Sequence, residues 1–175
     1  MRRIIATLLS VILLAACTVP RSIPATQTDP GNSHTCAFVW ATQPLPDLTA
    51  KVQSAIDAAG LPDIQATAQA YGENCLDSQT NQPAGFATLE TDFHIIAQVA
   101  DLTDLDNLGE LLEKTLVVLD AFPVGKIPGP QPGYINISFQ SGKDEANLSF
   151  SASEGKTARR LGLHGAALFE KLQKK

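Results

Sequence analysis

Cysteine is scarce in this chain of 175 residues, and the three present, at 17, 36 and 75, are too far apart for a zinc site or a redox pair. Both would need closely spaced thiols, with further ligands in the zinc case. Positive charge is also short. Thirteen Lys and Arg stand against 18 Asp and Glu, a net charge of −5, which argues against nucleic acid or an anionic bilayer as the main partner. The apolar run from Ile4 to Leu14 falls well below the about 20 residues that a membrane-spanning helix needs. Catalytic signatures are missing as well. There is no Gly-x-Ser-x-Gly, no glycine-rich phosphate loop, no His-Glu-x-x-His and no Cys–His pairing in a sensible context. No internal repeat or cofactor motif stands in their place.

What the chain does have begins at its amino terminus. Met1 is followed by Arg2 and Arg3, the apolar run, and the small pair Ala15-Ala16 before Cys17. A basic start, an apolar core and a small-residue cleavage site form the tripartite pattern of a secretory signal peptide. Leu14-Ala15-Ala16-Cys17 resembles the lipobox of bacterial membrane lipoproteins, a likeness that covers residues 1–17. It implies cleavage before Cys17, a diacylglyceryl group on its sulfur and acylation of the new amino terminus, by a fatty acid such as palmitate. Two or three acyl chains give stable attachment where one does not. The expected organisation is therefore a signal peptide over 1–16, lipidated Cys17 with a flexible tether over 17–35, and one α+β domain over 36–175.

The tether holds Pro20, Pro24, Pro30 and Gly31 among small polar residues, a composition that buries too little apolar area to fold. His34 reads as a solvated residue within it. Loss of Arg2 and Arg3 leaves 11 basic residues against 18 acidic ones and moves the net charge to −7. The expected location is the cell membrane or outer membrane, lipid-anchored and outside the cytoplasm. Disulfides persist there, so with Cys17 assigned to lipid, Cys36 and Cys75 become the candidate bridge.

Beyond the tether, residues 37–42 are apolar and bounded by turn residues, which predicts a buried strand with Trp40 in the core. Leu48, Val52, Ala55, Ile56 and Ala59 recur at steps of three and four, marking an amphipathic helix stopped by Gly60. Residues 64–73 and 86–99 alternate as strands, with 74–85 read as the loop between them. Thr103 or Asp104 caps a helix with the stripe Leu105, Leu108, Leu112, Leu116 or Thr115, and Leu119. Four prolines and three glycines make 123–133 an extended connection. Residues 134–140 alternate again, 141–144 turn the chain, and a last strand surrounds Leu148 and Phe150. A terminal helix from about Thr157 buries Leu161, Leu168 and Leu172, carries His164 on its surface, and ends on Lys171, Lys174 and Lys175.

These elements predict an α+β fold. An antiparallel or mixed sheet of four to five strands has helices on one face, and the element order resembles the ferredoxin-like unit extended by a hairpin strand and a helix. In a ferredoxin-like sheet, parallel first and second strands would hold Cys36 and Cys75 at opposite ends. Either the bridge is absent or the first strand runs differently.

If helices cover one face, the other presents Gln65, Thr67, Gln69, Tyr71 and Glu73, then Glu90, Asp92 and His94, then Tyr134, Asn136 and Ser138. An antiparallel sheet can leave such a face in water. Tyr71, Glu73, Glu90, Asp92, His94, Tyr134 and Asn136 are the candidate binding face. Glu90, Asp92 and His94 project together at spacings of roughly 7 Å, so they could also hold a divalent ion or do acid–base work. Polar alternation on a solvated strand explains them equally well. The globular part is similar to uncharacterised exported lipoprotein domains with Tyr-Gly-Glu-Asn-Cys (71–75) and Pro-Gly-Pro-Gln-Pro-Gly (128–133) segments, a likeness that implies no activity. The favoured expectation is a tethered, non-catalytic module that binds an envelope protein, peptide or small ligand. Its alternatives are an extracytoplasmic hydrolase using Glu90, Asp92 and His94, with or without metal, and a structural envelope component.

Overall fold

A computed structural model describes residues 36–173. The residues expected to form the signal peptide and the tether, with Cys17, His34, Lys174 and Lys175, lie outside the described residues. Strands β1 (Cys36–Pro44), β2 (Ile64–Asp77), β3 (Pro83–Gln98), β4 (Gln131–Ser141) and β5 (Asp144–Ser151) form one sheet in that order. Helices α1 (Pro46–Ala58) and α2 (Leu105–Leu119) lie between strands, and α3 (Ala152–Arg160) and α4 (Gly165–Gln173) follow the last. Every neighbouring pair is antiparallel except β3–β4. A parallel pair needs a crossover, and α2 lies within it.

The expected α+β class, mixed sheet and element order are present. The strand order is sequential, however, where a ferredoxin-like sheet would interleave its strands. β1 sits at the edge, antiparallel to β2, with Cys36 opposite Asp77 and Phe38 opposite Cys75. That direction brings the two cysteines together, and they are bonded with Cα atoms 5.0 Å apart.

The inward rows of the strands supply half of the core. Ala66, Ala68, Phe93, Ile95, Ile135, Ile137, Phe139, Leu148 and Phe150 are buried with Val52 and Ile56 of α1, Leu108, Leu112 and Leu116 of α2, and Leu168, Phe169 and Leu172 of α4. The side chains on β2 facing α1 are small, which lets the helix settle close to the strand. β1 ends at Pro44, opposite Gln69, so the first residues of β2 have an unpaired edge. Side chains of α1 cover it. Gln53 donates from Nε2 to the Ile64 carbonyl (2.9 Å) and accepts from the Ala66 amide at Oε1 (2.8 Å), while Thr49 Oγ1 accepts from the Ala68 amide (2.9 Å). A primary amide thus stands in for a missing strand and protects an exposed edge. Replacing Gln53 with Leu keeps the bulk and orphans both backbone groups. The expected cost is about 1–2 kcal/mol, read from urea unfolding.

Three expectations are corrected. β1 is not buried: Phe38 is 63% and Trp40 60% exposed. Among the described residues it pairs only with the distal part of β2 and has no neighbour on its other side. The loop read over 74–85 is mostly strand, because β2 runs to Asp77 and β3 starts at Pro83. Only the turn remains, closed by Asp77 Oδ1 accepting from the Gln79 and Thr80 amides, both at 2.9 Å. The terminal helix is two helices. Ser151 and Glu154 form a reciprocal capping box that starts α3 at Ala152, and Gly162, at φ 73°, ends it. Leu161, expected inside, falls at this break and is 67% exposed, whereas Leu168 and Leu172 are buried as expected. His164 lies in the connection rather than on a helix, with Nδ1 2.9 Å from Glu113 of α2.

Candidate functional site

Among the described residues, the helices pack on the inward rows and leave the outward rows of the sheet uncovered. Register places the candidate residues there. Tyr71 faces Glu90, Gln69 faces Asp92 and Thr67 faces His94 across β2–β3, and His94 is next to Asn136 across β3–β4. Paired residues share a face, so Tyr71, Glu73, Glu90, Asp92, His94, Tyr134 and Asn136 form one connected surface over three strands.

Trp40 adds to this surface from β1. It lies opposite Glu73 and stacks on Tyr71, with ring centroids 5.4 Å apart and planes inclined by 5°. Phe38, two residues before Trp40, continues the aromatic row beside the disulfide. Sequence reasoning placed Trp40 in the core because its neighbours are apolar. The one available signal was the i, i+2 spacing of Phe38 and Trp40, which puts them on one side of the strand whichever side that is.

The polar residues of the face are held by its own backbone and side chains. Asp92 Oδ1 accepts from the Tyr134 amide at 2.7 Å, where the β3–β4 register slips between Thr91 and Phe93. Its carboxylate fills a gap in the ladder. Gly133 makes this possible, since a Cβ there would lie 2.1 Å from the Thr91 carbonyl oxygen and 2.6 Å from Asp92 Oδ1. The Gln69 amide nitrogen lies 2.6 Å from His94 Nε2. In this amide orientation the ring nitrogen is the acceptor. Asn136 Oδ1 accepts from Ser149 Oγ at 2.8 Å.

Glu90 has its carboxyl pKa raised, first by partial burial and then by the Asp92 charge. The ionised form is thus disfavoured in the folded state, so this residue's contribution to stability falls as pH rises through its folded-state pKa. Among the described residues, no three His, Cys, Asp or Glu side chains converge closely enough to hold a metal ion. Glu90, Asp92 and His94 share a face without forming a common coordination point, and Asp92 and His94 each have a protein partner.

Chemically the face offers a flat aromatic ledge at one end and carboxylate, imidazole, amide and hydroxyl groups beside it. Such a surface can stack against a planar or apolar group and hydrogen-bond its polar flank. No protein-family model matches the chain, and no curated protein or solved structure shows significant similarity to it.

Proposed function

We propose that this chain is an exported lipoprotein held to a membrane by acylated Cys17, and that its folded part is a non-catalytic module binding an envelope protein, peptide or small ligand through the open sheet face. The observation that carries the binding reading is the Trp40–Tyr71 stack, an exposed aromatic ledge continuous with Glu73, Glu90, Asp92 and His94. Exposing Phe38 and Trp40 to water forgoes apolar burial of roughly 2 kcal/mol each, and contact with a partner would recover it. The Cys36–Cys75 bond supports the anchoring half, because such bonds persist outside the cytoplasm.

One comparison tests both halves. The wild-type chain, expressed in a bacterial host, should fractionate with membranes, with mass spectrometry finding a mature amino terminus at Cys17 that carries acyl groups. The Cys17→Ser chain should appear in the soluble fraction. Photo-crosslinking from position 40 on intact envelopes should then yield an adduct that disappears in the Tyr71→Ala, Asp92→Asn, His94→Ala triple variant. An unmodified Cys17 thiol in cytosol ends the anchoring reading, and an adduct unaffected by the triple change ends the binding reading.

A further inference from the structure

A second feature lies on the opposite side of the sheet. Between β3, β4, α2 and α3 is a cavity of about 180 Å³. Phe93 and Ile135 form its floor, Leu116 and Leu119 its wall, and Phe122 and Ile127 of the connection between α2 and β4 its cover. The cover is attached from below, where Thr91 Oγ1 donates to the Pro128 carbonyl at 2.6 Å. That bond also satisfies the one hydroxyl buried in the cavity floor. Gly129, at φ 93°, packs against β3 so closely that a Cβ would lie 2.8 Å from the Leu89 carbonyl oxygen. The proline-rich connection is thereby held over the cavity by specific contacts.

The exposed polar residues of the lining are Asp120, Ser153 and Lys156. Two of them are already engaged. Asp120 pairs with Arg159 at 2.5 Å, and Ser153 Oγ shares a hydrogen bond with Ser151 at 2.9 Å. Lys156 has no carboxylate partner among the described residues, and with Arg159 balanced by Asp120 the opening carries one net positive charge.

We propose that this cavity binds a small amphiphilic carboxylate, with its short alkyl chain or single ring among Phe93, Leu116, Ile127 and Ile135 and its anionic head at Lys156. Size sets the class. A dry apolar cavity of about 150 Å³ accepts a benzene ring, whereas sites for drug-sized ligands begin near 300 Å³, so a two-chain phospholipid is too large. Charge sets the sign of the head group. An acid finds an uncompensated ammonium at the opening, and an amine of the same shape meets repulsion. The site is independent of the open-face reading, because it uses none of those residues.

The probes are hexanoate and hexylamine, which have equal chain lengths and opposite charge. They are titrated into the purified full chain while methyl NMR signals of Ile127 and Ile135 are followed. Hexanoate should shift both methyls saturably, with a Kd of about a millimolar given five or six transferred carbons, and should bind at least about tenfold tighter than hexylamine. Lys156→Gln, a change on an exposed helix face, should weaken hexanoate about tenfold and tighten hexylamine, which no longer meets the ammonium. Ala152→Leu should displace both by filling the space. Should that variant unfold, the Lys156→Gln comparison still decides the matter. No saturable shift, equal affinity for the two probes, or hexanoate binding indifferent to Lys156→Gln would each overturn the proposal.

Discussion

Replacing Cys36 and Cys75 together with serine should lower the free energy of unfolding by about 4 kcal/mol, the chain-entropy value for a loop of 39 residues. The loss should be felt first in β1. Every residue of that strand is exposed or half-buried, so apolar burial contributes little to keeping it in place. Its attachment consists of the ladder to β2, the Trp40–Tyr71 stack and the covalent bond. Trp40 is the only tryptophan, and its fluorescence therefore reports on this strand alone. In the oxidised protein, fluorescence and far-ultraviolet circular dichroism should change together with urea. In the double variant, fluorescence should change at lower urea, because β1 detaches before the core formed by Phe139, Phe150 and Phe169 opens. Coincident transitions, with less than about 1 kcal/mol lost, would show that β1 is held by its ladder and not by the bond.

The same strand marks the boundary of what could be read from residues alone. Alternation over 64–73 and 86–99 assigned Tyr71, Glu90, Asp92 and His94 to one face because a period of two is a property of the extended backbone, independent of neighbours. The candidate face was legible for that reason. The environment of β1 was not. Phe38-Val39-Trp40 is apolar on both sides, a pattern shared by a strand inside a sheet and by an edge strand beyond the reach of the helices. Local composition misled in a second place. Asn74 to Leu76 has the chemistry of a loop, yet it is paired on both sides, by β1 and by β3, and bonded through Cys75. Tertiary pairing overrides a weak strand preference. The roles of Asp92 and Gln69 were hidden for a third reason. They depend on the slipped β3–β4 register at Gly133 and on a diagonal reach to His94, neither of which leaves a trace in spacing.

These details narrow what the open face can do. Asp92 and His94 are engaged by the Tyr134 amide and Gln69, which makes them parts of a rigid surface. Glu90 is the carboxylate least well compensated, since burial and Asp92 both oppose its charge. A ligand presenting a cation or a hydrogen-bond donor there would relieve that opposition, with an apolar or planar portion on Trp40 and Tyr71. On the two proposals, the face would take donors or cations on one side of the sheet and the cavity small anions on the other.

Gly109→Ala should be the most damaging glycine-to-alanine change among the described residues, costing about 3 kcal/mol or more. Gly109 lies in α2 where that helix meets the start of α4, and a Cβ there would fall 1.8 Å from the Gly165 carbonyl oxygen and 2.2 Å from its carbon. Both are backbone atoms, so no rotamer change can yield, and α4 would have to move away. Its position is fixed on both sides of the contact. Asp106 Oδ1 accepts from the Ala166 amide at 3.0 Å, capping the helix from a neighbour, and Glu113 meets His164 just before it. Displacing α4 would strain these bonds and open the packing of Leu168, Phe169 and Leu172, which together cover one end of the core. Gly60→Ala is the control. Gly60 adopts φ 74°, and a Cβ at that position would have nothing within 4 Å, so its cost is backbone strain alone, about 1 kcal/mol. Thermal unfolding of the two variants side by side separates overlap from strain. Equal losses would mean that α2 and α4 can part without disturbing the core, and the close helix contact would then have no structural consequence.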